Sequence, residues 1–130
     1  MIKYIAGYVA AMIAMMLLDT LWIGFIAAEM YQSGIGHLMA TKPNLIAALV
    51  FYIIFIAGLM VFAIAPAKNW QSTIKLAALY GFFTYSTYEL TNMATLRNWP
   101  IGMSLIDIAW GVFICVVSAN VGRSLFKRFH

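Results

Sequence analysis

The stretch Leu45-Ile-Ala-Ala-Leu-Val-Phe-Tyr-Ile-Ile-Phe-Ile-Ala-Gly-Leu-Met-Val-Phe-Ala-Ile-Ala65 carries no charged side chain over 21 residues and is closed by Pro66. A helix needs about 20 apolar residues to cross a hydrocarbon core about 30 Å thick. The run therefore reads as one membrane-spanning helix, stopped where Pro66 cannot easily continue it. The rest of the chain is of the same kind. Of its 130 residues 65% are apolar or aromatic and 9% charged, with a mean hydropathy of +0.92; an average soluble domain has roughly 45–50% and about 25%. Apolarity spread over the whole length defines an integral membrane protein and leaves no room for a soluble catalytic domain. The net charge of +4 comes from basic residues scattered near segment ends, which is a topology signal and excludes a nucleic-acid stripe. The lone Cys115 lies inside an apolar run and excludes an intrachain disulfide.

Working outward, three further spans are predicted. The first covers about residues 4–28 with Asp19 as its only interior charge. It is too long for the apolar core of a signal peptide, and Asp19 and Trp22 interrupt its second half, so it reads as a retained helix. The span at about 74–96 is the most polar, with Thr84, Tyr85, Ser86, Thr87, Tyr88, Glu89, Thr91 and Asn92 in nine positions; a lipid-facing helix would not tolerate that. The span at about 101–122 follows Trp99-Pro100, with Pro100 expected in its first turn, contains Asp107, and ends in the basic tail Arg123, Lys127 and Arg128. Short connections imply antiparallel neighbours. The expected architecture is thus an all-α membrane protein, a single transmembrane domain over residues 1–130, with four helices at about 4–28, 45–65, 74–96 and 101–122 in an antiparallel bundle. Lys3, Lys68, Lys75, Arg123, Lys127 and Arg128 fall on one side, and only Lys42 and Arg97 on the other. Six against two places both termini in the cytoplasm. Trp70, Trp99, Tyr4 and Tyr31 fall at predicted span ends, where amphipathic rings favour the headgroup level.

Depth follows from helical rise. Asp19 is 16 residues beyond Lys3, Glu89 is 14 beyond Lys75, and Asp107 is 16 before Arg123. At about 1.5 Å per residue these separations are about 24, 21 and 24 Å, which sets all three acids in one layer near the outer boundary. On the first helix Tyr8, Met12, Met15, Asp19 and Trp22 share a face; on the third, Tyr85, Ser86, Glu89 and Asn92; on the fourth, Ser104, Asp107, Trp110, Gly111 and Ser118. A carboxylate facing lipid is penalised by a few kcal/mol, so the three stripes are expected to converge on an acidic, aromatic-walled pocket. Two uses of the acids stay open at this point. They bind a ligand, or they are interhelical hydrogen-bond glue in a bundle short of small-residue contacts. Arg97 sits at the same outer end and could neutralise Glu89 or Asp107, while Thr84 and Thr87 can bond back to carbonyls of the preceding turn. His37 in the first external loop and His130 at the opposite end form no zinc pair. Ser86, Ser104 and Ser118 lack a nearby His to activate them, and the nine Met residues read as packing. No cofactor and no metal set is expected.

The string Tyr88-Glu89-Leu90-Thr91-Asn92-Met93-Ala94-Thr95-Leu96, then Trp99-Pro100, then Asp107-Ile108-Ala109-Trp110-Gly111 resembles a family of small bacterial inner-membrane proteins known as domain of unknown function 2177. Asp19-Thr-Leu-Trp22-Ile-Gly24 and Phe62-Ala-Ile-Ala-Pro66-Ala67 are similar to its elements in the first and second helices, so the resemblance covers the whole chain. Where members often have Tyr-Asp-Leu-Thr-Asn this chain has Glu89, an acid reaching one methylene farther. The resemblance implies four transmembrane helices in the bacterial inner (cytoplasmic) membrane and supplies no substrate.

The resulting expectation is a protein that binds or transports a small cation, protonatable molecule or amphiphile through Asp19, Trp22, Tyr85, Tyr88, Glu89, Asn92, Asp107 and Trp110. It would work among membrane lipids and as a homodimer, because four helices rarely enclose a pathway alone. The rivals are a lipid-modifying enzyme that uses the carboxyls as acid and base, and an accessory or scaffold subunit. The topology is testable: reporter fusions at His130 and within residues 68–71 should be cytoplasmic, and an external thiol reagent should label Ser33→Cys. Labelling from the cytoplasmic side alone would overturn the depth argument.

Overall fold

The computed structural model describes residues 1–129; His130, the expected cytoplasmic end, lies outside them. All regular structure among the described residues is helical. Helix α1 (Ile2–Leu21) continues into a wide π turn at Trp22–Ile26, and α2 (Ala28–Ile35) and a 3-10 turn at Gly36–Leu38 follow. Helix α3 (Leu45–Leu59) ends in a second π turn, Met60–Ile64; α4 spans Trp70–Thr95 and α5 Ile101–Arg128. Among the described residues three segments are long and apolar enough to cross a membrane: Ile2–Ile26, Leu45–Ile64 and Ile101–Arg128. Helix α4 has 26 residues, about 39 Å at the helical rise, but its polar row from Thr84 to Asn92 makes it less apolar than the other three.

Several ends differ from the predicted ones for local reasons. Asn69 caps α4, its side-chain oxygen accepting from the Ser72 amide at 2.8 Å, so that helix begins at Trp70 rather than near residue 74. Asn44 caps α3 in the same way through Ala47. The first span stops short: the Ala27 amide bonds the Trp22 carbonyl at 2.7 Å, closing the π turn, and Ala27 then leaves helical geometry. The expected loop after it holds α2, which rests on the start of α5, where Gly34 lies against Pro100 and Met103. Pro100 stands just before the first turn of α5 and accepts from the Ser104 amide.

Helix α5 is the centre of the packing. It runs antiparallel to α4, with Gly81 against Gly111 and Glu89 against Ser104. It runs antiparallel to α1 on another side, with Gly7 against Gly122 and Asp19 against Trp110. A Cβ on Gly81 would lie 2.5 Å from the Gly111 carbonyl oxygen, and one on Gly122 2.8 Å from that of Gly7. The expectation of few small-residue contacts is corrected here. Close approach in a membrane does use glycine, but each contact pairs single glycines from different helices, and none leaves a four-residue glycine spacing in the sequence.

Below these crossings Met15, Ile56, Leu59, Ile64, Ile114 and Cys115 close a fully buried apolar core. Leu17, Leu21, Ile46, Ile54, Phe83 and Leu105 project outward, as lipid-facing residues do. The α3–α4 connection is pinned to α5 by Arg123, whose guanidinium donates to the carbonyls of Ala67 and Lys68 at 3.0 and 3.3 Å. Helix α3 meets α4 at Tyr80, which donates to the Phe55 carbonyl at 2.9 Å and covers Gly58. From that contact toward Asn44, a cavity separates α3 from α4.

The glycine crossings predict a contrast. Gly81→Ala should lower unfolding stability in detergent by about 1–3 kcal/mol, because the new methyl meets backbone. Gly102→Ala, with open space around its Cβ, should change stability by less than about 0.5 kcal/mol.

Candidate functional site

The cavity encloses about 570 Å³, within the range of small-molecule sites. Asp19 and Trp22 reach it from α1, Tyr31 from α2, Phe51, Tyr52 and Phe55 from α3, Thr84, Tyr85, Tyr88 and Glu89 from α4, and Asp107 and Trp110 from α5, with Trp99 from the last connection. No Lys, Arg or His among the described residues lines it.

Each acid is buried and supplied with donors from other elements. Asp19, 6% exposed, accepts from the Trp110 indole at 3.1 Å on one oxygen and from the Tyr52 hydroxyl at 2.8 Å on the other. Asp107, also 6% exposed, accepts from Tyr31 at 2.6 Å, and the Tyr31 oxygen accepts in turn from the Trp22 indole at 2.9 Å. Glu89, 1% exposed, takes the Trp99 indole and the Ser104 hydroxyl, both at 2.8 Å and both on Oε1. Trp22 and Trp110 lie face to face, with ring centroids 4.4 Å apart and planes within 5°. One connected system therefore runs from Tyr52 through Asp19, the two stacked indoles and Tyr31 to Asp107. Burial, together with the bond to Asp107, pushes the Tyr31 phenol far above its ordinary range, which keeps it a donor.

Local backbone features set up this arrangement. The π turn of α1 opens at Trp22, whose indole donates to Tyr31 of α2; such turns are frequent at functional sites. Asn98 adopts φ 58°, a left-handed conformation that asparagine tolerates better than most residues. The tight turn carries Trp99 back onto Glu89. Gly111 leaves room for Tyr85, whose ring lies where a Cβ would be.

Seven of the eight residues predicted for the pocket line the cavity: Asp19, Trp22, Tyr85, Tyr88, Glu89, Asp107 and Trp110. Asn92 does not; it lies one turn farther along α4 than Tyr88. Thr84 takes the lining place expected of Ser86, and Thr84 and Thr87 bond back to the carbonyls of Tyr80 and Phe83 as anticipated. Arg97 is exposed, and Glu89 is held by neutral donors instead, because the chain turns between the two residues. Tyr31, Tyr52 and Trp99 were not expected in the pocket. Tyr52 had a signal: it is the only polar side chain in the run from Leu45 to Ala65. Tyr31 and Trp99 read equally well as headgroup anchors, and only the folds of α2 and the Asn98 turn bring them inward. His37 is exposed in the 3-10 turn. Among the described residues no group of three His, Cys, Asp or Glu is placed to hold a metal ion.

A chain that is all-helical among its described residues, with three apolar segments of membrane length, that turns Asp19, Glu89 and Asp107 inward and many aliphatic side chains outward, is a helical membrane protein. It belongs to the family described as predicted membrane protein, DUF2177, whose model matches residues 4–124. The chain is also 30% identical over 78 residues to the fluoride-specific ion channel FluC of Sulfurovum sp. (strain NBC37-1), an alignment covering 58% of this chain and 62% of that protein. No solved structure matches it.

The network predicts the effect of one hydroxyl. Tyr31→Phe unpairs the Trp22 indole and removes a donor from Asp107, and should cost about 1–2 kcal/mol, the upper range for interhelical hydrogen bonds in membranes. It should also speed amide exchange in α2, read by hydrogen–deuterium exchange. Unchanged exchange would mean that Tyr31 does not hold α2 in place.

Proposed function

We propose that the protein crosses the bacterial inner membrane four times with both ends in the cytoplasm, and that it binds a small cation or protonatable molecule at the acid-lined cavity and transports it. In this reading it acts as one unit, as a homodimer among membrane lipids. Helix α4 supplies the fourth crossing: it has the length, and Leu79, Phe83 and Leu90 are exposed on it while Tyr85 and Glu89 turn inward. The six-to-two distribution of basic residues supports the orientation.

The observation that carries the functional reading is the meeting of three carboxyls, from three helices, on one cavity that no basic side chain among the described residues lines. A low-dielectric cleft of one sign concentrates ions of the other. The Sulfurovum relative is by name an ion channel, which supports ion movement as the class of activity. Its ion is fluoride; three carboxyls favour a cation instead. Asp19 alone favours a holding role, since both of its oxygens are engaged by Tyr52 and Trp110.

Neutral isosteres separate binding from glue. Asp107→Asn and Glu89→Gln keep shape and most hydrogen bonding, so each should lose on the order of 1 kcal/mol of stability in detergent. Each should also abolish the thermal stabilisation that a screen of inorganic and organic cations gives the parent protein, and cation-driven flux in proteoliposomes. Isosteres that unfold the protein, or that leave stabilisation and flux unchanged, would overturn the reading. Turnover of a labelled outer-leaflet lipid would replace it with an enzyme.

A further inference from the structure

We infer that the cavity is filled from the bilayer: its ligand is a long-chain cationic amphiphile whose head lies at the acids and whose alkyl chain leaves between α3 and α4 into lipid. This inference rests on the cation reading above and specifies the class of cation and its route.

The route follows from the order of the helices. Helix α4 packs along α5, α5 along α1, and α1 on α3, so three sides of the bundle are closed. On the fourth, the contact of α4 with the α3 segment is concentrated at Tyr80, Phe55 and Gly58 and along the π turn at Met60–Ile64. Beyond these the two helices form separate walls of the cavity, with Phe51 on one and Tyr88 on the other. Both residues line it and are still 45% and 55% exposed, so they stand at its mouth. Phe51 lies six residues inside the end of α3 and Tyr88 seven inside the end of α4, each about 10 Å along its helix. That is the level of the acyl chains, not of the headgroups, and the neighbouring Leu49, Val50 and Leu90 are exposed and apolar, as lipid-facing residues are. The mouth therefore faces hydrocarbon, in the outer leaflet for the orientation proposed above. The end beyond α1 is covered instead: Tyr31 and Ile35 of α2 line the cavity there, and Tyr31 is tied to Asp107 at 2.6 Å.

The class of ligand follows from the two ends of this path. At the inner end stand Asp19, Glu89 and Asp107, with no basic side chain among the described residues beside them, which suits a positive head. The side walls at Phe51, Phe55, Tyr85 and Tyr88 are aromatic and uncharged. An alkyl chain that moves from lipid into such a cleft stays in apolar surroundings throughout. A bare inorganic ion would have to cross acyl chains to reach the same mouth, which is costly. One apolar tail and one positive head match both ends.

The test uses the full chain in lipid nanodiscs and hexadecyltrimethylammonium carrying a photoreactive diazirine at mid-chain, at a low fraction of the lipid. On irradiation the probe should attach to residues 48–55 of α3 and 84–88 of α4, located by mass spectrometry, and unlabelled hexadecyltrimethylammonium should suppress the attachment. Hexadecanol with the same diazirine should label these residues about tenfold less, because it lacks the charge that the acids attract. Tetramethylammonium, a head without a chain, should not suppress labelling. Attachment at Ile35 and Met39 in place of α3 and α4 would mean that the ligand enters past α2, and suppression by tetramethylammonium equal to that by the long-chain cation would mean that the chain adds nothing. Either result, or no suppressible attachment to the cavity, would overturn this inference and leave the cation reading standing. Equal labelling by the hexadecanol probe would overturn both.

Discussion

A carboxyl group taken out of water must be given donors or a proton, and in this protein almost every donor comes from a different element than the acid it serves. Tyr52 of α3 and Trp110 of α5 converge on Asp19 of α1. Tyr31 of α2 bonds Asp107 of α5, and Trp99 and Ser104 bond Glu89 of α4. Removing any one helix leaves a buried acid short of a partner, a penalty of several kcal/mol in an apolar medium. The acids therefore specify the relative rotation of the helices, which apolar contacts alone would leave loosely determined.

The half of the molecule away from the acids is held by different means. There α5 approaches α1 through Gly7 and Gly122, and the apolar core around Ile56, Leu59 and Ile114 fills the space. Contact between α3 and α4 is concentrated at Tyr80, Phe55 and Gly58. This close-packed end lets α3 and α4 stand apart at the other, so the cavity is a product of the packing and not a defect in it.

Membrane character and most pocket residues are legible in the sequence because both rest on regular rules: helical periodicity sets Asp19 and Trp22, or Asp107 and Trp110, on one face, and a fixed rise per residue equalises their depth. What escapes is irregular or long-range. The π turn at Trp22–Ile26 departs from helical period without any proline or glycine cluster to announce it, and α2 is hidden in what reads as a loop. Trp99 comes inward through the backbone conformation of Asn98, and aromatic residues near a span end carry the same composition signal whether they face headgroups or a buried acid. The glycine pairs are invisible for a third reason, since each partner belongs to a separate helix.

Helix α2 has a timing as well as a place. Its anchor on Asp107 is 76 residues later in the chain, and at a synthesis rate of about 5–20 residues per second that partner follows roughly 4–15 s behind Tyr31. With only eight residues, α2 is too short to be stable alone in water, so its order depends on contacts with the rest of the fold. The bond that ties Tyr31 to the acids can thus form only after the first turns of α5 have been made.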